Sequence, residues 1–189
     1  MPKEIIDVRF HGRGGQGVVT GARILAEAAL LEGGFVHSFP SFGPEREGAP
    51  VAGFTRFSKK PFTVKTEIYQ PEGVVVIDST LLGTVDVLQG LKDNGVVIIN
   101  HSDDTIVRKK LGKLPPGTKL GILDGTSIAK EVIGRPIANT ICLGSLIRIT
   151  EWVKLESILR SVDKIFRDPI AEKNKDAIQR AHEEVKIFE

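Results

Sequence analysis

Short apolar runs alternate along the chain with stretches of helical periodicity, which is the pattern of a parallel sheet wrapped by helices. Ile5, Ile6, Val8 and Phe10, separated by charged residues, predict a first strand that runs into His11-Gly12-Arg13-Gly14-Gly15-Gln16-Gly17. Val18, Ala22, Leu25 and Ala29 then recur at helical spacing and predict a helix from Val18 to Leu31, closed by Gly33-Gly34. A short strand from Phe35 to Phe39 completes a βαβ unit in roughly thirty residues. Three prolines and two glycines make Pro40 to Pro50 a loop. Val51–Ser58 and Phe62–Tyr69 alternate around Lys59-Lys60-Pro61 and predict a β-hairpin added to the sheet.

Three continuous apolar runs follow, Val74-Val75-Val76-Ile77, Val96-Val97-Ile98-Ile99 and Leu120-Gly121-Ile122-Leu123, as expected of strands buried on both faces. Each ends on a polar residue: Asp78, Asn100 and Asp124. Helices are expected over Leu81–Gln89, Asp104–Leu111 and Ser127–Ile133, and two or three more finish the chain. The last is expected to open with Asp168 as N-cap and Pro169 at its first position. The architecture this predicts is a single α/β domain over residues 1–189, Rossmann-like and three-layered, with a mostly parallel sheet and an added β-hairpin.

Charge and cysteine usage narrow the function. The net charge is +2, and Lys and Arg form no basic stripe, so nucleic acid is not expected as a partner. No apolar run approaches the roughly 20 residues of a membrane span, and Met1-Pro2-Lys3-Glu4 begins no signal peptide, so a cytoplasmic protein is expected. The single cysteine, Cys142, excludes an internal disulfide, a cysteine zinc site or an iron–sulfur cluster built from this chain. Its setting, Ile141-Cys142-Leu143-Gly144, reads as core. His11, His37, His101 and His182 show no ligand spacing, and no metal site or catalytic residue is expected. P-loop and G-x-S-x-G signatures are missing as well.

Gly12, Gly14, Gly15 and Gly17 satisfy G-x-G-x-x-G between a strand and a helix, where backbone N–H groups favour negative charge. A dinucleotide site also needs an acid about 20 residues on, and the second strand ends Val36-His37-Ser38-Phe39-Pro40 without one. Arg13 and Gln16, at the variable positions, suit phosphate binding or the bracing of a neighbouring subunit. The glycines alone could simply pack helix against sheet. Asp78, Asn100, His101 and Asp124 ring the carboxyl edge of the sheet, and Asp78-Ser79-Thr80 and Asp124-Gly125-Thr126 read as helix caps or Asx-turns. The loop after the second strand combines Phe39 and Phe42 with Glu45-Arg46-Glu47 between rigid corners, a mixture suited to docking. Arg46 is its expected carboxylate or phosphate contact.

Phe10-His11-Gly12-Arg13-Gly14-Gly15-Gln16-Gly17, followed by Phe39-Pro40-Ser41-Phe42-Gly43-Pro44-Glu45-Arg46-Glu47-Gly48-Ala49-Pro50, resembles the γ subunit of the 2-oxoacid:ferredoxin oxidoreductases, the pyruvate synthase type in particular. The resemblance continues through Val74–Asp78, Ala138-Asn139-Thr140 with Leu143-Gly144, and Glu183-Glu184-Val185. It implies a subunit of an enzyme that oxidatively decarboxylates a 2-oxo acid, pyruvate being the expected one, to its acyl-coenzyme A while reducing ferredoxin. Thiamine diphosphate, magnesium and 4Fe–4S clusters would then sit on α, β and δ partners or their fused equivalents. This chain has neither the Gly-Asp-Gly…Asn motif nor the cysteines to hold them. The residues expected to face a partner subunit or coenzyme A are the turn (Gly12, Arg13, Gly14, Gly15, Gln16, Gly17) and the loop (Ser41, Phe42, Glu45, Arg46, Gly48). Arg46-Glu47-Gly48-Ala49-Pro50 looks like both the pyruvate and the branched-chain types, while Gly43-Pro44-Glu45 is shared with 2-oxoglutarate types. A branched-chain version of the complex and a stand-alone nucleotide-binding protein are the competing readings.

Overall fold

The computed structural model describes residues 5–41, 47–64 and 66–189. Its strands form one seven-stranded sheet: β1 (Ile5–Arg13), β2 (Phe35–Pro40), β3 (Pro50–Ser58), β4 (Gly73–Val76), β5 (Val96–Asn100), β6 (Lys119–Leu123) and β7 (Lys186–Phe188). The spatial order is β2-β3-β1-β4-β5-β6-β7. The ladders of β1, β4, β5 and β6 are parallel, while β3 is antiparallel to both β1 and β2, and β7 to β6. Five strands therefore run one way, and β3 and β7 run against them.

α1 (Val18–Leu31) returns the chain from β1 to β2 across one face. That face is also covered by α4 (Ile141–Thr150), α5 (Leu155–Ile165) and α6 (Ile170–Glu184). Val8, Phe10, Val75, Ile77 and Ile98 meet Ile24, Leu25, Leu143, Leu146 and Ile158 there, all 4% exposed or less. Burying a side chain such as Phe10 contributes about 2–3 kcal/mol of transfer free energy. The opposite face is closed by α2 (Asp104–Leu111) and by an irregular stretch carrying Leu81, Leu82, Val87 and Leu91 over Val74, Val76, Val97 and Ile99. Cys142 is 1% exposed, and burial pushes its thiol up to about 12.

The antiparallel pair differs from expectation. β3 pairs with Phe35–Pro40 on one side and with β1 on the other. The described part of Phe62–Tyr69 contains no strand, so the expected hairpin partner is corrected to β2. Leu81–Gln89 is not a helix; it holds a single 3₁₀ turn, Ser79–Leu81, followed by turns. α2 matches the expected bounds, and the expected helix at Ser127–Ile133 is α3 (Gly125–Ile128) continued by a π turn to Ile133. α6 is preceded by Pro169 at its cap, not Asp168, after a cis Asp168–Pro169 bond.

Candidate functional site

β1 delivers Arg13 to the carboxyl edge of the sheet, where the chain turns through the glycines into α1. The Gln16 N–H donates to the Arg13 carbonyl at 3.0 Å, and the Arg13 N–H donates back to the Gln16 side-chain oxygen at 2.8 Å, which closes the turn. Gly17 supplies the left-handed step into the helix, with φ 74°. A side chain there would also strike Asn139, whose Nδ2 lies where a Cβ would reach and donates to the Gly17 carbonyl at 2.9 Å. Gly12 lies directly beneath Val18, which packs the helix start onto the strand. The first turn of α1 carries neither an acidic residue nor a side-chain cap.

The structure joins this turn to the end of the following loop. Gly14 N–H donates to Ala49 O at 2.9 Å, Gly48 N–H to Gly14 O at 3.2 Å, and Arg13 Nη1 to Gly48 O at 3.1 Å. Ser41, at the start of the loop, is tied to β3 through its N–H to Ala52 O at 2.9 Å. Phe42, Glu45 and Arg46 lie outside the described residues. Arg13, Gly14, Gly15, Glu47 and Val51 line an open concavity of about 560 Å³ in front of the helix start.

A second connection runs to the end of β4. Arg13 Nε and Nη2 donate to Thr80 Oγ1 at 3.1 and 2.9 Å, and Arg13 Nε lies 3.3 Å from Asp78 Oδ2. Gln16 Nε2 donates to the same Asp78 oxygen at 2.7 Å, and Asp78 Oδ1 accepts from Thr80 N–H and Oγ1. Burial alone would raise the Asp78 pKa. The hydrogen bonds from Thr80 and Gln16, with the Arg13 charge, outweigh it and lower the pKa below the ordinary carboxylate value. β1 sends its crossover toward β2 and β4 sends its chain toward β5, so the gap between them is the switch point where open α/β sheets usually hold ligands. Here Arg13, Gln16, Asp78 and Thr80 satisfy one another across it.

The dinucleotide geometry is altered in a further respect. β3 lies between β1 and β2, so the end of the second strand stands one strand spacing, about 4.8 Å, farther from the glycine turn than in a simple βαβ unit. The adjoining crevice of about 390 Å³ is lined by Asp78, Asn100, His101, Asp124 and Thr126, and its polar groups are mostly engaged locally. Asn100 bridges Ile77 O and Thr126, Asp124 caps α3 through Ser127 N–H, and His101 Nδ1 accepts from Asp103 N–H. His11 is buried and accepts from Arg9 Nε at 2.9 Å. The bracing roles of Thr80 and Asn139 were not legible from motif spacing, because both act across long sequence separations.

Residues 7–184 match the family model described as pyruvate ferredoxin/flavodoxin oxidoreductase. The chain is 52% identical over 186 residues to the common subunit gamma of the pyruvate/ketoisovalerate oxidoreductases of Pyrococcus furiosus, covering 98% of this chain and all of that protein. It is 44% identical over 181 residues to the pyruvate synthase subunit PorC of Methanothermobacter thermautotrophicus, covering 96% of each. The crystal structure of pyruvate oxidoreductase subunit PORC from Thermotoga maritima superposes with a TM-score of 0.86 at 39% identity, over 99% of this chain and all of that one.

Proposed function

Because this chain belongs to the pyruvate ferredoxin/flavodoxin oxidoreductase family and is a gamma subunit of a 2-oxoacid:ferredoxin oxidoreductase of the pyruvate synthase type, we propose that it serves its complex as a single-domain docking subunit whose glycine turn and 41–50 loop form one surface toward the catalytic subunits and the approach of coenzyme A. The observation that carries this reading is the hydrogen-bonded union of turn and loop through Gly14–Ala49, Gly48–Gly14 and Arg13–Gly48. The turn and the end of the loop, far apart in sequence, are thereby tied together. The first turn of α1 beside them, without an acidic residue or a side-chain cap, suits a diphosphate.

The chain's own residues do not fit the redox groups of such an enzyme. Cys142 is buried and held protonated, and no group of three or more His, Cys, Asp or Glu among the described residues could hold a metal ion. Thiamine diphosphate, magnesium and 4Fe–4S clusters are therefore assigned to α, β and δ partners, with ferredoxin reached through them. The substrate is proposed to be pyruvate. A role shared with a branched-chain 2-oxoacid enzyme is favoured by the 52% identity to a subunit named as common to two such oxidoreductases. No helix among the described residues is long and apolar enough to cross a membrane, and a cytoplasmic location is proposed.

Gentle anaerobic purification of the tagged chain, with mass spectrometry of its partners and assays for iron and thiamine diphosphate, tests the assembly. Copurified cofactor-bearing subunits with coenzyme A-dependent oxidation of pyruvate are expected; a lone, colourless chain would overturn the reading. Within the assembled enzyme, Arg13→Ala is expected to raise the KM for coenzyme A about tenfold or more with the subunits still associated, the loss of a bidentate contact or its support being worth more than about 1.4 kcal/mol. An unchanged KM would leave docking as the role of this surface and remove coenzyme A from it.

A further inference from the structure

Among the described residues the sheet has two open edges, and they are built differently. β7 is three residues long and opens on Lys186, a short and charged edge of the kind that resists pairing. β2 runs six residues, Phe35–Pro40, with no Asp, Glu, Lys or Arg among them. Its ladder to β3 fixes which main-chain groups are already used. Ser41 N–H donates to Ala52 O, so on the same register Phe39, His37 and Phe35 exchange hydrogen bonds with β3. Val36, Ser38 and Pro40 then turn their main-chain groups to the open side. Pro40 falls where its missing N–H costs the ladder nothing.

We propose that this edge is a self-association site, where a second copy of the chain lays its own β2 antiparallel to the first across a two-fold axis. Identical edges related by a two-fold can meet only antiparallel, and any charge on the strand would face its like near the axis. β2 carries none. A pairing centred on His37 sets Val36 opposite Ser38 of the second copy and gives the outward N–H groups of both residues in both copies a carbonyl partner. Displacement by two steps, to a pairing centred on Phe39, sets the donorless Pro40 opposite Ser38 and loses half of the bonds. The side chains agree with a second copy as occupant. Phe35, His37 and Phe39 share one face of the strand; His37 stacks on Phe39 at 4.6 Å and Phe39 on Phe54 at 5.1 Å. This aromatic row ends at Phe35, which is 46% exposed. The two-fold continues it into the same row of the second copy and covers Phe35. The inference is independent of what the subunit does in its complex; in the assembled enzyme it would link two complexes through their gamma subunits.

The test uses the full chain alone, by light scattering after gel filtration over a concentration series, with amide hydrogen exchange read residue by residue. A mass of two chains at high concentration is expected, with exchange at Val36 and Ser38 slowing as the dimer forms. Phe35→Lys, with folding checked by circular dichroism, is expected to shift the midpoint of association at least about tenfold toward monomer. Ile187→Lys, on the other edge, is expected to leave it in place. A chain that stays monomeric up to about 1 mM overturns the proposal. So does a dimer in which Val36 and Ser38 exchange freely, or protection that arises only when other subunits are added, which would give the edge to a partner's strand.

Discussion

Gly15 and Gly17 stand two residues apart in one turn, both with left-handed backbone, yet a methyl group is not equivalent at the two. At Gly15, φ is 92° and nothing lies within 4 Å of a Cβ, so Gly15→Ala is expected to cost only the conformational strain, about 1–2 kcal/mol. At Gly17 the same change also drives into Asn139 and breaks its bond to the Gly17 carbonyl. Gly17→Ala is expected to cost about 3 kcal/mol or more, the difference being read from the two denaturation midpoints. His11 offers a second residue-scale test. Burial, then the charge of Arg9, holds its pKa down to about 3, and Arg9 Nε donates to its ring nitrogen. An unfolded chain protonates this histidine near pH 6.5, so between the two values the unfolded state binds a proton that the native state refuses. Stability is therefore lost as pH falls, by about 2 kcal/mol between pH 7 and 5 from this group. His11→Gln is expected to remove that part of the slope in urea denaturation at a series of pH values. Sequence pattern hid this histidine. Asp7, Arg9 and His11 alternate with Val8 and Phe10 as a solvent face would, but all three are 9% exposed or less.

The elements that cover those polar residues are the ones the periodicity misjudged, and the reason is common to both. Arg56 Nη1 donates to Val64 O and Thr66 O at 3.0 and 3.4 Å, and Arg9 Nη2 to Val87 O and Gln89 O at 3.1 and 2.6 Å. Main-chain carbonyls that a strand or helix would have used are taken by buried guanidinium groups from β3 and β1. No local pattern records a partner that distant. α2, by contrast, carries its own start and stop signals. Asp103 caps Ile106 N–H at 3.0 Å, Arg108, Lys109 and Lys110 fill the last turn, and Gly112 ends it with φ 66°. Its bounds were legible for that reason. Asp7 and Arg56 meet in a two-pronged pair at 2.7 and 2.9 Å. Arg56→Met is expected to cost about 3–5 kcal/mol, because it strands a buried carboxylate. It also releases the carbonyls at 64 and 66, so early proteolytic cleavage between residues 59 and 70 is expected alongside the lowered denaturation midpoint.

At the scale of the molecule, layers and strand order follow from the continuous apolar runs of β4, β5 and β6, which fit only the middle of a sheet. The place of β3 was not legible. A strand that alternates polar and apolar residues reads as an edge, but its Thr55, Arg56 and Ser58 are all 6% exposed or less, and Arg56 is covered by the carbonyls of Val64 and Thr66. The glycine turn was visible as a motif, but its use was not, since Thr80, Asn139 and Ala49 complete it from three other parts of the chain.

The insertion of β3 also couples two separate parts of the molecule. Without Pro50–Ser58 the sides of β1 and β2 that face each other have no main-chain partner, and the gap between them is one strand wide. The strand that closes it also brings Gly48 and Ala49 against Gly14. Closing the sheet and joining the loop's end to the glycine turn are thus one structural event, and a chain that loses this strand loses both.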